Sequence, residues 1–175
     1  MRKISLSAFI VLLLTLSFIN QKSNAMEKKN VEKTTVLMYT LKSSLATMTT
    51  DVGNLPDEMM TIVQKLGLEI TGPQIWQYTD SDGQPNTKFT LDICIPVKEA
   101  NGDPGKFKFL TLPEFKCISE IHKGAWDKLG NTYQRIMGEI TRKSIPFTGV
   151  SREIYIGCDF ENPENCVTEV QMEIQ

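Results

Sequence analysis

Thr71-Gly72-Pro73-Gln74-Ile75-Trp76-Gln77-Tyr78 and Thr148-Gly149-Val150-Ser151-Arg152-Glu153-Ile154-Tyr155 are two versions of one segment. Laid on each other they place Thr on Thr, Gly on Gly and Tyr on Tyr, and the strands that follow place Asp92 on Glu169 and Val97 on Ile174. Working outward, the same order of elements surrounds both copies. Upstream of the first, Val36, Met38, Leu41 and Leu45 mark a strand over Thr34 to Met48. Asn54-Leu55-Pro56-Asp57-Glu58 then reads as a helix start, with proline and two acids in the first turn. Leu55, Met59, Ile62, Val63 and Leu66 follow at helical spacing, and Gly67 ends the run. Two strands, Gln74 to Thr79 and Lys88 to Val97, are joined across Asp80-Ser81-Asp82-Gly83-Gln84-Pro85. In the second of them Phe89, Leu91, Ile93, Ile95 and Val97 share one face and Thr90, Asp92 and Cys94 the other.

The second half repeats the pattern. Phe115 to His122 reads as a strand, Lys123-Gly124 as a turn, and Trp126, Leu129, Tyr133, Ile136, Met137 and Ile140 as one helical stripe reaching about Lys143. Strands Arg152 to Cys158 and Cys166 to Ile174 finish the chain. The expectation is an α+β fold built from duplicated βαββ units, about 34–98 and 107–175, with antiparallel sheets and two main helices.

Within a strand, residues two apart share a face, so Glu153 and Tyr155 point together, and the duplication puts Trp76 and Tyr78 in the corresponding place. One carboxylate among aromatic rings suits a bulky lipophilic cation, because ring quadrupoles attract the cation and a desolvated carboxylate supplies the charge. Read from these residues alone, Glu153 is more readily a surface glutamate paired with Arg152 or a lysine. Trp126, with Leu129 and Tyr133, has the look of ordinary core packing on an amphipathic helix, and both Trp126 and Tyr133 join the candidate pocket set. His122, the single histidine, precedes a glycine turn and reads as a hydrogen-bonded structural residue.

The segments Glu120-Ile121-His122-Lys123-Gly124-Ala125-Trp126-Asp127-Lys128-Leu129, Thr132-Tyr133, Gly149 to Tyr155 and Thr168-Glu169-Val170-Gln171-Met172-Glu173-Ile174 resemble the GyrI-like domain. This is the effector-binding domain of multidrug-sensing and AraC-type transcription regulators, which also occurs alone. The resemblance covers about residues 35 to 175. It implies pseudo-twofold symmetry between the repeats, a ligand cleft between them, and a pocket role for Glu153, which matches the glutamate of the family's Glu-Ile-Tyr motif. Trp126 stands where the family usually has Tyr, and Glu173 where Pro is common. No helix-turn-helix precedes the domain in this sequence. The leading expectation is therefore a protein that binds an amphipathic or cationic small molecule, with Glu153, Tyr155, Trp76, Tyr78, Trp126 and Tyr133 around it and no cofactor or metal. Two alternatives accompany the resemblance. Some stand-alone GyrI-like proteins hydrolyse cyclopropane-containing toxins, which would make Glu153 a general acid/base; the SOUL haem-binding family has similar architecture, which would make the ligand a tetrapyrrole.

The N-terminus bears on location. Arg2 and Lys3 precede a mostly apolar run from Ile4 to Ile19, and Ser23-Asn24-Ala25 offers small residues for a signal peptidase. The run is shorter than the ~20 residues a spanning helix needs. Residues 1–25 thus read as a signal peptide, 26–33 as a charged flexible segment and 34–175 as the ligand-binding domain, periplasmic or secreted and without stable membrane insertion after cleavage. In an oxidising compartment Cys158 and Cys166, flanking a loop with an Asn-Pro turn signal, are expected to pair, with Cys94 and Cys117 either a second pair or buried thiols. The chain carries 19 Lys and Arg against 21 Asp and Glu, and Arg2, Lys3 and Lys22 belong to the signal segment. No basic cluster remains to neutralise a row of phosphates, so nucleic acid is not an expected partner. Hydrophobic residues at 41% and charged residues at 23% suit a packed domain.

Overall fold

The computed structural model describes residues 26–175, so the signal-peptide expectation for 1–25 lies outside the described residues. Two bent strands frame the fold. β1 (Glu27–Val31) leads after two residues into β2 (Thr34–Ser43), and β5 (Lys108–Leu112) leads after two residues into β6 (Phe115–Lys123). Between these pairs in sequence lie α1 (Met48–Val52), α2 (Leu55–Leu66), β3 (Ile75–Thr79) and β4 (Phe89–Pro96). A 3-10 turn at Trp126–Lys128, α3 (Leu129–Arg142), β7 (Phe147–Gly157) and β8 (Val167–Ile174) complete the chain. Gly67 ends α2 in the left-handed conformation its sequence promised, with φ 65°.

All eight strands form one antiparallel sheet in the order β1-β6-β8-β7-β3-β4-β2-β5. The two repeats therefore share a single sheet, joined where β3 pairs with β7. Its two ends also meet. Val31 lies opposite Phe115 and Thr34 opposite Leu112, so β1–β6 and β2–β5 continue one register. The gap falls at Glu32-Lys33 and Pro113-Glu114, where Pro113 has no N–H to contribute. The sheet thus curls into a closed ring, which leaves it no long free edge.

β1 corrects the expectation of a flexible segment over 26–33. Its charged side chains hid a strand whose pairing comes from a partner some ninety residues away, and Lys29 forms an ion pair with Glu169 of β8. The first repeat accordingly begins at β1, matching β5 in the second. β5 itself shows no alternation of burial and left no signal in the sequence.

The registers bear out the duplication. Ile75 faces Cys94 in the first repeat and Arg152 faces Gln171 in the second, each 77 positions further on. Trp76 lies directly opposite Glu153, its own counterpart in the other repeat, so the pseudo-twofold axis passes between these two residues. One face of the sheet carries the helices: Met59 and Val63 of α2 pack on Leu37, Leu91 and Ile93, while Leu129, Ile136 and Ile140 of α3 pack on Ile118, Val170 and Met172. The other face lines the ring interior with Val36, Met38, Ile75, Cys94 and Leu112.

The structure does not show the expected Cys158–Cys166 disulfide, and all four cysteines stand unpaired in it. The intervening loop is no plain hairpin. A 3-10 turn at Pro163–Asn165 buries Cys166, whose sulfur accepts the Asp159 N–H at 3.3 Å, while Cys158 is left exposed. Burial in the ring pushes the Cys94 thiol up to about 12.

Because β1 closes the ring, removing residues 26–33 should lower the unfolding free energy by at least about 2 kcal/mol, the scale of several ladder bonds and a partly buried ion pair. Urea denaturation of the chain with and without this segment measures it; equal midpoints would mean that β1 adds nothing to the fold.

Candidate functional site

The alternation of β3 and β7 decides which side chains meet over the sheet. Trp76, Tyr78, Glu153 and Tyr155 project to the helix face, and Gln77, Arg152 and Ile154 project into the ring. α2 and α3 cover the two flanks of that face and leave a cleft of about 1760 Å³ along the pseudo-twofold axis, with Glu153 in its floor. All six residues expected around a pocket line it: Glu153, Tyr155, Trp76, Tyr78, Trp126 and Tyr133.

Three phenols grip the carboxylate. Tyr155 donates to Oε2 at 2.6 Å, Tyr78 to the same oxygen at 3.1 Å, and Tyr133 of α3 to Oε1 at 3.0 Å. Both strands and the second helix thus hold one residue. Glu153 is 7% exposed, and that burial raises its carboxyl above the ordinary value, against the pull of Tyr155, Tyr133 and Tyr78. Burial, together with the Glu153 charge, raises all three phenols well above theirs, so they remain donors.

Arg152 is not the partner a surface reading of Glu153 would supply. It is buried on the opposite face, where its Nε donates to Gln77 Oε1 at 2.9 Å and its guanidinium lies 3.7 Å from the centre of the Phe115 ring. Among the described residues the cleft is lined by Asp80, Asp82 and Asp127 besides Glu153, and by no lysine or arginine. Its potential is therefore negative, and among the described residues its central charge has hydrogen-bond donors and no lysine or arginine beside it.

The rings are ordered as well. Tyr155 stands edge-on to Trp76 at 5.4 Å and to Trp126 at 5.7 Å. Trp126 is thus a wall of the cleft and also a packed residue, its Nε1 donating to Thr168 Oγ1 at 3.2 Å. His122 lies outside the cleft lining. Its Nδ1 is 3.0 Å from Thr132 Oγ1 and its Nε2 is 3.1 Å from the Ala125 carbonyl, which fixes the proton on Nε2. Both nitrogens are spent, so a haem iron would find no free histidine here. Among the described residues no three His, Cys, Asp or Glu side chains converge as a metal site requires. The sequence did not single out Phe160, Met48 or Phe147, which also line the cleft. Phe160 alone carried a signal, as a large apolar residue in an otherwise polar loop.

A family profile described as the GyrI-like small molecule binding domain matches residues 25–175. Among proteins of curated function none matches the chain. Several solved structures share the fold. The crystal structure of the EcmrR C-terminal domain superposes with a TM-score of 0.74 at 20% identity, covering 86% of this chain and 97% of that one. SAV2435 bound to tetraphenylphosphonium gives 0.63 at 13% identity, covering 86% and 94%. A hydrolase encoded by lin2189 from Listeria innocua gives 0.58 at 14% identity, covering 87% and 92%.

A buried carboxyl whose folded value is raised makes the native state less stable once it ionises. Its contribution is complete at pH below the unfolded carboxyl range and is lost as pH climbs towards the raised folded value. Glu153→Gln should therefore leave stability level or higher at pH 7, with the difference from wild type shrinking as pH falls from the raised folded value towards about 4 and constant below it. Thermal unfolding of both proteins across that range checks the sign; a variant much less stable than wild type at pH 7 would mean that the ionised carboxylate stabilises the fold.

Proposed function

Because this chain belongs to the GyrI-like small-molecule-binding domain family, we propose that it takes an amphipathic or lipophilic cation into the cleft, with Glu153 as counter-charge, outside the cytoplasm. One observation carries the reading: a desolvated carboxylate, clamped by three phenols and with no lysine or arginine beside it among the described residues, lies in the floor of an aromatic cleft. The phenols keep the anion oriented before any ligand arrives, so little reorganisation is required on binding. The ring faces of Trp76, Trp126 and Tyr155 offer a cation a second source of attraction. SAV2435, which shares the fold, is a protein solved with a lipophilic cation, tetraphenylphosphonium, and that ligand class is carried over here.

Titration calorimetry with tetraphenylphosphonium tests the proposal. Glu153→Gln keeps the shape and removes the charge, so affinity should fall by about 2 kcal/mol, roughly thirtyfold. Affinity of the wild type should also fall as pH drops through the raised carboxyl value, because a protonated Glu153 offers no charge. Equal binding by wild type and variant would place the carboxylate outside the interaction. The same raised carboxyl is what a general acid/base needs, which supports hydrolysis of a cyclopropane-bearing electrophile as the second reading. Multiple turnover of such a compound by wild type, reduced by roughly 10²–10⁴ in Glu153→Gln, would favour the hydrolase.

The extracytoplasmic part of the proposal rests on Arg2, Lys3, the apolar run after them and the small residues before Met26. Intact mass of protein recovered from the periplasm or medium should correspond to a chain starting near Met26; recovery of the full-length chain in the cytosol would overturn it.

A further inference from the structure

Phe160 is 80% exposed, far more than any other large apolar residue of the cleft. It is nevertheless held in place. Its ring stands edge-on to Trp126 with centroids 5.6 Å apart, and it ends a row of rings, Phe160–Trp126–Tyr155–Trp76, that runs from the rim to the floor. The loop beneath it is anchored by Asp159, whose carboxylate accepts the N–H groups of Glu161 at 3.1 Å and Asn162 at 2.8 Å and the Asn165 side-chain amide at 3.0 Å. The Asn165 amide and the Asn162 backbone bond hold the Asp159 carboxyl below its usual value. On its other side the Asp159 N–H is tied to Cys166 Sγ.

The duplication supplies an internal control. In the first repeat the matching loop is anchored by Asp82, which accepts the N–H of Gln84 at 2.8 Å just as Asp159 accepts that of Glu161. Both loops line the same cleft, and the residue between the anchoring aspartate and the N–H donor is Gly83 in one and Phe160 in the other. The turn therefore works without an aromatic residue, and Phe160 caps no helix and fills no core. A large ring presented to solvent on an anchored loop, at the mouth of a cleft, is an apolar surface awaiting a cover.

We propose that Phe160 is a specificity-determining residue: with Trp126 it holds an aryl group of the cation whose charge Glu153 meets, so that the protein selects arylated over purely aliphatic cations. The inference rests on the cation reading of the cleft. The aryl group gains ring–ring contact and leaves water at the rim, while an alkyl group of the same charge meets Glu153 and the deeper rings and gains little from Phe160.

Calorimetry of the mature protein with tetraphenylphosphonium and with tetrabutylammonium separates the two. Phe160→Ala should lose about tenfold in affinity for the aryl cation and less than twofold for the alkyl one, with an unchanged melting temperature without ligand. Phe160→Trp should retain the preference. Asp159→Ala keeps the ring and frees the loop, and should reproduce part of the selective loss. Equal losses for both cations, or no loss for either, would overturn the role of Phe160 even while Glu153→Gln still weakens both. A wild-type protein that binds neither cation would overturn the charge reading, and this inference with it.

Discussion

Everything in the cleft is arranged around one buried carboxylate. Glu153 lies on the pseudo-twofold axis, opposite its own counterpart Trp76, and the three phenols that hold it come from β3, β7 and α3. Moving a carboxylate out of water costs several kcal/mol, and charge-assisted hydrogen bonds from neutral donors recover only part of that. The remainder stands as a negative potential with no lysine or arginine beside it among the described residues. A fold that spends stability in this way at its symmetry axis has placed charge where a binding partner can use it.

The sheet makes that placement precise. Its ends join in one ladder across the β1–β2 and β5–β6 bends, so the strands under the cleft belong to a closed ring. A one-residue slip between β3 and β7 would send Glu153 into the ring and Arg152 into the cleft, reversing its charge. The register is protected from both sides: Arg152 is buried against Phe115 and Gln77, and Glu153 is bound by the phenols. Adjacent residues of opposite sign thus share a strand without forming an ion pair, because the pleat points them to opposite faces.

The two repeats have diverged where the ligand would enter. The shared frame includes the βαββ order, the paired registers and even the aspartate-anchored loops at Asp82 and Asp159. The walls differ. The second repeat contributes Trp126, Tyr133 and Phe160, and the first contributes Met48, Val52 and a glycine at the loop tip. A symmetric scaffold with unequal walls can hold an unsymmetrical molecule in one orientation, since the rings of Trp126, Tyr133 and Phe160 have no aromatic counterparts on the opposite wall.

Much of this was legible in residue order. Helical spacing with Pro56 at the start and Gly67 at the end marked α2, alternation marked β4, and the paired Thr-Gly and Tyr positions marked the duplication and thereby set Glu153, Tyr155, Trp76 and Tyr78 on one face. These features depend on neighbours within a few residues, and local periodicity records them. β1, β5, the closure of the ring and the position of Phe160 against Trp126 left almost no local trace. β1 is a charged pentapeptide whose strand state is conferred by β6, and a 3-10 turn buries the sulfur of Cys166 while Cys158 is left exposed. By itself the sequence determined which side chains alternate together and where α2 begins and ends, while α1 lay at the end of a stretch read as strand. Only the tertiary structure decided that three phenols from separate elements converge on one carboxylate, because that convergence depends on long-range register and helix docking, which no short window of residues encodes.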